Sequence, residues 1–572
     1  TTEASLAADP DGTHVTADAV GEPSLSVCIP GVLGDDTAFF ETGDVPTADD
    51  SAYGGDAAAD SGQPGDEIFF AATVPQPATA GQSAGTYTGL VRAADPETGN
   101  EPYLVHLRGD LSPVTTSKPA PVTYQVLTVT VAVPPAPPGW AVRLGGTGFD
   151  FVRGVCTDSA GSVYAIGHFS GSADFGGGPR TSVGGTDIFL VKLNSDGSYA
   201  WDAVYGGSSD DIGTAIARDS ADSLWITGGF RTTVNFGGGP LTAAGGSDVF
   251  LVKLDPITGG HLSSARYGGA GNDQANGVAV GVLNYPAITG QFIANVDFGG
   301  GNLASAGMAD IFAAAFLSNG AHRWSKRFGG PADDFGSAIC SYPADGSFAL
   351  CGEFWNTINF GGPNRTSAGL TDIFLLRLDG VLGTYMFDRT FGGTNEEHAW
   401  GVAANVSSTV AMTGFFFSPV DFGGGPLNPG RMFLAAYDGT GTPLWSRSHG
   451  ANSQEYSRAV AVDPNGDFCT VTAFIGTVNF GSGPLVAVGS TDIAISKYSG
   501  VSGAPLWSQR VGGSGTDESF AVTSLPNGDF VYAGAFRNTV DFDPGPGTFD
   551  LSAAGANDDA FVSRLSGTTG LW

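Results

Sequence analysis

Short runs in which apolar and polar positions alternate follow one another along most of the chain, and turn residues separate them. Residues 211–220 and 223–230 form two such runs, and residues 247–255 and 261–269 complete a group of four. Other copies of this group place Asn-Gly or Asp-Gly between the first two runs, which is the strongest short signal for a β-hairpin; these dipeptides are Asp345-Gly346, Asn465-Gly466 and Asn527-Gly528. The pattern predicts groups of four antiparallel strands.

The group of four strands recurs with a period of about 62 residues from Trp140 onwards. An Asp-Phe or Asn-Phe pair marks each copy: Asp174-Phe175, Asn235-Phe236, Asp297-Phe298, Asn359-Phe360, Asp421-Phe422, Asn479-Phe480 and Asp541-Phe542. Four antiparallel strands repeated at a fixed period are typical of β-propeller blades. We name the strands of each repeat A to D in chain order, with strand A expected nearest to the propeller axis.

Both ends of the repeat region are out of phase with the repeats. Residues 140–146 align with residues 201–207, so they correspond to a strand D that has no strand A, B or C before it. Residues 560–572 correspond to a strand C and the first residue of a strand D. We therefore expect strand 140–146 to complete the last blade and to close the ring without an open sheet edge. The prediction for residues 140–572 is a seven-bladed β-propeller of four-stranded blades.

Residues 1–133 follow a different pattern. Positions 1–66 are rich in Ala, Asp, Thr, Ser and Gly and contain no Lys or Arg, which predicts a loop-rich part or a partly ordered acidic arm. Strand-like runs follow at 67–74, 85–94, 102–111 and 122–134. They predict a small N-terminal β-domain, a sandwich of immunoglobulin-like type. The Pro-rich segment 134–139 predicts a stiff linker to the propeller. The expected fold class is all-β throughout.

Composition excludes several classes of function. The formal net charge is −33, although only 14% of residues are charged, because Lys and Arg are scarce. A chain this acidic is repelled by phosphate backbones, so nucleic acid is not an expected partner. No run of 18 apolar residues is present, so no membrane span is predicted. No signal peptide stands at the start of the sequence, and a secreted protein would already have lost it.

Each repeat carries a glycine-rich signature, which reads ADFGGGPRTSVGGTDIFLVKLN at 173–194 and VNFGGGPLTAAGGSDVFLVKLD at 234–255. This signature resembles the bacterial β-propeller repeat abbreviated SBBP, which occurs in cell-surface proteins. It is also similar to NHL-type blades with an added loop between strands B and C. The resemblance covers residues 140–572 and implies an extracellular or cell-surface protein. The fifth copy departs from the signature at 429–433, and the seventh copy departs at 541–547.

One position, four residues after the Gly-Gly pair in the connection from strand D to strand A, is a carboxylate in every repeat. It holds Asp150, Asp211, Asp273, Asp334, Glu397, Glu455 and Asp517. One interpretation is a collar of oxygen ligands for a hard cation such as Ca²⁺. The other is that each carboxylate accepts backbone N–H bonds and holds its own connection. Presence in all seven copies favours the second interpretation, because a site for one ligand usually breaks the symmetry.

The residue that opens strand C is also acidic in six of the repeats. It is Asp187, Asp248, Asp310, Asp372, Asp492 and Asp559, with Arg431 as the exception. Together with the Asp or Asn before Phe, such as Asp174 or Asp421, these side chains have the chemistry to hold Ca²⁺ in each loop. Hydrogen bonds that cap the loop are the alternative. Apart from Ca²⁺, no cofactor is expected.

Aromatic and cysteine positions offer further candidates. Trp140, Trp201, Trp324, Trp445 and Trp507 open strand D and serve either blade packing or sugar binding, and packing is favoured. The phenylalanines at the end of strand B and after Asp/Asn are expected in the core. Cys340 and Cys351 flank the Asp345-Gly346 turn symmetrically and are candidates for a cross-strand disulfide. Cys28, Cys156 and Cys469 have no evident partner in the sequence.

The best candidate for catalysis is a cluster in the fifth repeat, with Glu396, Glu397, His398 and Trp400. Paired carboxylates beside a histidine are suited to acid–base chemistry. No nucleophile elbow, HExxH motif or phosphate loop accompanies them. We therefore expect a non-catalytic extracellular structural or adhesion protein, whose partners are other surface proteins or further copies of itself through the N-terminal domain. The alternatives are a carbohydrate-binding propeller and a glycan-active enzyme at Glu397 and His398.

Overall fold

The computed structural model describes residues 139–572, except 429–430 and 451–454, and the backbone of eight strands between residues 5 and 130. Every regular element in these residues is a β-strand. The chain separates into two compact units, residues 1–136 and residues 137–572. Among the described residues no helix suited to crossing a bilayer is present.

The first unit contains two sheets. Its strands are β1 (Ser5–Ala8), β2 (His14–Ala19), β3 (Ser24–Pro30), β4 (Thr37–Phe40), β5 (Glu67–Val74), β6 (Gly85–Ala93), β7 (Tyr103–Asp110) and β8 (Tyr124–Thr130). One sheet has the order β1-β2-β4-β7-β6-β5, and β3 pairs with β8. Strands β5 to β8 lie where alternation predicted strands. Four strands before residue 66 were not predicted, because they are only four to seven residues long and their apolar residues are few.

The predicted linker at 134–139 lies outside the described residues except for Gly139, and so does the side chain of Cys28. The second unit begins with β9 (Trp140–Gly146). The first three repeats then contain β10 (Asp150–Thr157), β11 (Val163–Asp174), β12 (Pro179–Leu193), β13 (Tyr199–Tyr205), β14 (Ile212–Arg218), β15 (Leu224–Phe230), β16 (Thr233–Asn235), β17 (Pro240–Thr242), β18 (Asp248–Leu254), β19 (His261–Tyr267), β20 (Gln274–Val280), β21 (Pro286–Asp297), β22 (Asn302–Phe316) and β23 (His322–Phe328).

The remaining repeats follow the same order. They contain β24 (Asp334–Ser341), β25 (Phe348–Asn359), β26 (Asn364–Leu378), β27 (Tyr385–Phe391), β28 (Glu397–Ala404), β29 (Val410–Phe416), β30 (Val420–Asp421), β31 (Pro426–Leu427), β32 (Arg431–Tyr437), β33 (Pro443–His449), β34 (Tyr456–Val462), β35 (Phe468–Phe474), β36 (Thr477–Asn479), β37 (Pro484–Val486), β38 (Asp492–Tyr498), β39 (Pro505–Gly513), β40 (Glu518–Ser524), β41 (Phe530–Phe536), β42 (Thr539–Asp541), β43 (Asp550–Ser552) and β44 (Asp559–Leu565).

These strands form a β-propeller-like arrangement of small antiparallel sheets. Within a repeat the strands pair in the order A-B-C-D, as in β14-β15-β18-β19 and β20-β21-β22-β23. The segment between strands B and C extends into a hairpin, which is either continuous with B and C or a separate pair such as β16–β17. Strand A of each repeat lies beside strand A of the next repeat, and β40 of the last repeat lies beside β10 of the first.

The two ends of the second unit meet in one sheet. Strand β9 pairs antiparallel with β44, with Leu144 opposite Ala560 and Trp140 opposite Arg564. The sheet order around this point is β40-β41-β44-β9. Strand β9 therefore occupies the place that strand D has in the other repeats. Leu144 is fully buried there.

A β-bulge interrupts strand A in every repeat, for example between Val152 and Gly154 and between Gly336 and Ala338. Bulges increase the local twist and re-aim the side chains that follow. The core between the sheets is aromatic. Phe169, Phe175 and Phe189 are fully buried, and the rings of Phe175 and Phe189 stack with centroids 4.4 Å apart. These phenylalanines are packing residues, as their repeat spacing predicts.

Candidate functional site

The carboxylates that precede strand A are all fully buried. In six repeats, one carboxylate oxygen accepts the N–H of the second glycine of the Gly-Gly pair, four residues earlier. The donors and acceptors are Gly146 and Asp150 (2.7 Å), Gly207 and Asp211 (2.7 Å), Gly269 and Asp273 (2.7 Å), Gly330 and Asp334 (2.7 Å), Gly393 and Glu397 (2.9 Å), and Gly513 and Asp517 (2.8 Å). Glu455 is buried as well, and position 451 falls outside the described residues.

The second oxygen also accepts a hydrogen bond in five of the repeats, whereas Oδ1 of Asp150 is buried and has no hydrogen-bond partner among the described residues. In four repeats the donor is the backbone N–H of the residue after the buried phenylalanine of strand B: Arg231 to Asp211 (2.9 Å), Ile293 to Asp273 (3.0 Å), Trp355 to Asp334 (3.0 Å) and Arg537 to Asp517 (3.2 Å). Glu397 instead accepts the Ser418 hydroxyl at 2.6 Å. In these five repeats the carboxylate thus ties the D–A connection to strand B, and Asp150 and Glu455 occupy the same position in the other two. We call this arrangement the carboxylate clamp.

The acidic residues that open strand C form a second buried set. Each accepts the N–H of a residue four or five positions earlier: Val183 to Asp187 (2.8 Å), Ala244 to Asp248 (2.9 Å), Ala306 to Asp310 (2.8 Å), Ala368 to Asp372 (3.0 Å), Val488 to Asp492 (3.1 Å) and Ala554 to Asp559 (2.9 Å). These bonds close the loop before strand C, as capping hydrogen bonds do in Asx turns.

Four of these aspartates also pair with an arginine of strand D. Arg143 contacts Asp559 at 3.0 Å and Arg327 contacts Asp310 at 2.5 Å, and Arg266 pairs with Asp248 and Arg510 with Asp492. These ion pairs were not predicted, although an Arg-x-Gly-Gly motif in the four repeats signals them. Asp187 and Asp372 have no arginine partner in the described part of the chain.

The two sets of carboxylates lie next to each other. In the first repeat Asp150 and Asp187 are both opposite Phe169, one on each side of strand B. A Cβ atom on Gly145 would lie 2.7 Å from Asp150 Oδ2 and 3.1 Å from Asp559 Cγ, so the clamp of one repeat neighbours the strand C carboxylate of the previous repeat. A Cβ on Gly206 would lie 2.1 Å from Asp187 Cγ. The first glycine of the Gly-Gly pair is therefore required by close packing.

Burial changes the acidity of the clamp. It raises the pKa of Asp150, Asp334 and Asp517 to about 7 and that of Asp211 and Asp273 to about 6, while the backbone N–H bonds oppose the rise. The neighbouring strand C carboxylate adds to the rise; for Asp334 this is Asp310. Burial likewise raises the pKa of Glu397. Loss of solvation disfavours the charged form of an acid.

We expect the protein to be more stable at about pH 5 than at about pH 8. A carboxyl whose folded pKa exceeds its unfolded value of 3.8 binds more protons in the folded state. The contribution of such a carboxyl to the free energy of unfolding is complete below about pH 4 and is lost as the pH rises through 6 to 7. Burial lowers the pKa of three histidines, His168, His322 and His449, and these act in the opposite direction but are fewer than the carboxyls. Urea unfolding at a series of pH values checks this.

The control for the pH dependence is Asp517→Asn, which replaces one titratable carboxyl of the clamp by an amide. Its stability should change less steeply between about pH 5 and pH 8 than that of the wild type, because one fewer group titrates differently in the two states. A wild-type midpoint that increased with pH across this range would contradict the raised pKa values of the clamp.

The predicted cation sites are tested only by their geometry. Among the described residues there is no group of three or more His, Cys, Asp or Glu side chains that could hold a metal ion. Asp174 accepts the N–H groups of Gly176 (2.8 Å) and Gly178 (3.1 Å), and Asp421 accepts those of Gly423 (2.7 Å) and Gly425 (2.9 Å). The arrangement favours the capping interpretation, and Ca²⁺ binding stays a prediction.

The tryptophans of strand D join neighbouring repeats. Each indole N–H donates to a backbone carbonyl of the next repeat: Trp140 to Ser195 (3.0 Å), Trp201 to Pro256 (3.3 Å), Trp324 to Gly380 (3.2 Å), Trp445 to Gly500 (3.1 Å) and Trp507 to Gly567 (3.1 Å). All except the half-buried Trp201 are buried. They pack between sheets and do not form an exposed platform for sugars.

The predicted disulfide between Cys340 and Cys351 is wrong, since both thiols are free. Cys340 lies opposite Ala349, and Cys351 lies opposite Ala338. The prediction assumed a two-residue turn at Asp345-Gly346. The turn is wider, because Tyr342 and Ser347 close it through a backbone bond of 2.8 Å, and the register shifts accordingly. Cys156 and Cys469 are buried free thiols.

The cluster proposed for catalysis does not come together as an acid–base pair. Glu397 is a clamp residue with both oxygens bonded, whereas Glu396 is exposed. His398 Nδ1 contacts Glu353 Oε2 of strand β25, and its ring stacks on Phe415 with centroids 4.6 Å apart. The exceptional Arg431 has a φ of 69° and lies over the ring of Phe417 at 4.5 Å.

Comparisons with known proteins define no family. No family model matches the chain, and no curated protein does so. Solved structures similar to it include U3-55K (8% identity, TM-score 0.41, 74% of this chain and 98% of that chain) and quinohemoprotein alcohol dehydrogenase from Comamonas testosteroni (11%, 0.38, 76% and 76%). Puromycin hydrolase is also similar (14%, 0.37, 72% and 54%). Similarity at this level carries no argument about function.

Proposed function

We propose that the chain is a non-catalytic extracellular or cell-surface protein built on a seven-bladed β-propeller, with strand β9 closing the ring. The A-B-C-D strand pairing of the repeats and the pairing of β9 with β44 support this architecture. The glycine-rich signature, which resembles the SBBP repeat, supports the location. The first unit would then serve anchoring or assembly.

The observation that carries the proposal is a set of exposed apolar side chains on the B–C hairpins. They are Val183 (75% exposed), Met308 (60%), Leu370 (54%) and Val488 (66%), each two or four residues before the strand C carboxylate. The polar residues repeated beside them are bonded to the backbone. Exposed apolar surface marks interaction sites where it is contiguous. The C–D turns also expose apolar side chains, Leu382 and Val501, so they serve below as the comparison for the hairpins. We name Val183, Met308, Leu370 and Val488 the hairpin face and propose that it binds a surface component.

Binding to isolated envelopes of the producing cells tests the hairpin face. The double variant Met308→Asp and Leu370→Asp should co-sediment with envelopes several-fold less than the wild type. The matched control is Leu382→Asp with Val501→Asp, which changes residues 64% and 91% exposed in the C–D turns, at the other end of the strands. This control should bind like the wild type. Equal binding by all three chains would contradict the proposed interaction surface.

The location has its own test. Protease added to intact producing cells should cleave the chain while a cytosolic marker stays whole. A chain that is protected until the cells are lysed would rule out display at the surface.

A further inference from the structure

The first and third residues after each clamp carboxylate differ between repeats. They lie at the start of strand A and are half-buried. From the first repeat to the last the pairs are Phe151 and Arg153, Ile212 and Thr214, Gln274 and Asn276, Phe335 and Ser337, His398 and Trp400, Tyr456 and Arg458, and Glu518 and Phe520. A binding site that occurs once in the molecule is expected at positions where the residues differ between repeats.

Four of these pairs contact one another around the neighbouring A strands. The guanidinium carbon of Arg153 lies 4.4 Å from the ring centre of Phe520 and 5.2 Å from that of Phe151. The guanidinium carbon of Arg458 lies 4.2 Å from the Trp400 ring and 5.6 Å from the Phe520 ring. We call Phe151, Arg153, Trp400, Arg458 and Phe520 the arginine–aromatic cluster. Its two cations share one ring, in a chain with only 24 basic residues.

The donors of this cluster are largely unused. Arg153 forms no hydrogen bond or ion pair within the described ranges, and burial together with the charge of Arg458 lowers its pKa to about 10. Arg458 contacts Glu518 Oε2 at 3.3 Å, and its buried Nε has no hydrogen-bond partner among the residues that the structure describes. Buried polar groups normally find partners. The buried Nε of Arg458 and the unpaired guanidinium of Arg153 therefore leave donors that an anionic ligand can use.

Two guanidinium groups face one carboxylate within the cluster, that of Glu518. A second carboxylate, that of Glu353, lies next to the cluster and contacts His398, whose ring is 5.9 Å from that of Trp400. His168 lies against Phe151 with ring centres 5.3 Å apart, and burial lowers its pKa to about 3, so it adds no charge near neutral pH. The side chains of Arg458 and Glu518 remain 27% and 24% exposed, which leaves the cluster accessible from solvent.

We propose that the arginine–aromatic cluster binds a small organic monocarboxylate with a flat apolar body, of the chemical class of benzoate. The planar guanidinium of Arg153 matches a carboxylate through two parallel hydrogen bonds. Because two carboxylates already lie at or beside the two guanidinium groups, a monoanion fits better than a phosphate dianion. The rings of Phe151, Phe520 and Trp400 provide apolar surface for the body of the ligand. This site is separate from the hairpin face, and neither proposal depends on the other.

Titration calorimetry of the full chain with sodium benzoate tests the site. The wild type should bind benzoate more tightly than acetate or inorganic phosphate. Arg153→Gln should weaken benzoate binding by about tenfold or more, since a hydrogen bond to a charged group is lost. The matched control is Arg323→Gln, which makes the same charge change at a residue of strand β23 that donates to Val381 O at 2.8 Å. It should bind like the wild type.

A second readout separates binding from folding. Benzoate should change the tryptophan fluorescence of the wild type, and Trp400→Phe should reduce that change. Arg153→Lys, which keeps the charge but not the planar fork, should bind with intermediate affinity. Benzoate binding that is unchanged in a folded Arg153→Gln chain, or no benzoate binding by the wild type at millimolar concentration, overturns the proposal. Equal binding of benzoate and phosphate overturns the stated ligand class.

Discussion

Leu144→Asp should lower the free energy of unfolding of the repeat unit by at least about 4 kcal/mol, because a carboxylate would replace a buried apolar side chain. Leu144 is fully buried in β9, and the adjacent Gly145 lies against Asp150 and Asp559, so the new charge would also be repelled. All nine tryptophans lie at or after residue 140. Urea unfolding followed by tryptophan fluorescence therefore reports on this unit alone.

The matched control for this change is Leu444→Asp in strand D of the fifth repeat. Leu444 is 48% exposed, so the same substitution should change the free energy of unfolding by no more than about 0.5 kcal/mol. A Leu144→Asp chain with the wild-type unfolding midpoint would mean that β9 is not part of the cooperative unit. The loss of β9 should also favour aggregation, because it exposes the edge of β44.

Asp334→Ala is expected to lower the free energy of unfolding by about 2–4 kcal/mol, since it leaves the N–H groups of the buried Gly330 and the half-buried Trp355 without an acceptor. Asp334→Asn should fall between alanine and the wild type, because an amide offers one acceptor oxygen and turns its NH₂ group towards the other donor. The measurement is again urea unfolding followed by tryptophan fluorescence, near neutral pH.

The control for the clamp is Asp297→Ala. Asp297 accepts the N–H groups of Gly299 (2.7 Å) and Gly301 (3.0 Å), but it is exposed, so water can replace it. Its loss should cost less than about 1 kcal/mol. If Asp297→Ala and Asp334→Ala lowered the free energy of unfolding by similar amounts, the importance of the clamp carboxylate would not come from the burial of its donors.

The same assay distinguishes the two interpretations of the repeated carboxylates. If backbone N–H groups are their ligands, the unfolding midpoint of the wild type should be equal in excess Ca²⁺ and in excess EDTA. Binding of Ca²⁺ to the folded state alone would raise the midpoint by mass action. A clear decrease on chelation would assign the acidic loops to metal binding and contradict the capping role.

The repeat and the hairpins were accessible from the sequence because both are local. The alternation in 223–230 and the Asn-Gly turns describe neighbouring strands, and every copy repeats the same information. Capping by Asp211 could also be expected, since its donor Gly207 is only four residues away. The second donor, Arg231, could not be expected, because it depends on where the end of strand B lies relative to the D–A connection.

Contacts that depend on register or on the packing of different repeats were missed. The pairing of Cys340 with Cys351 assumed a tight turn. The turn is wider, so the two cysteines are not opposite each other. The contact of Arg153 with Phe520 joins distant parts of the chain through the meeting of β10 and β40. The sequence shows that these two positions break the repeat, but only the neighbouring A strands bring them together.

The pairing of β9 with β44 also sets how the second unit responds to mechanical load. Trp140 lies opposite Arg564, so the chain enters β9 at the same end of the sheet at which it leaves β44. Tension between residue 139 and residues after 565 therefore pulls the two strands apart at one end. Their hydrogen bonds would break one pair at a time, as in a zipper, and not all together as in shear. The contact between β9 and β44 is the point at which the unit yields first under force.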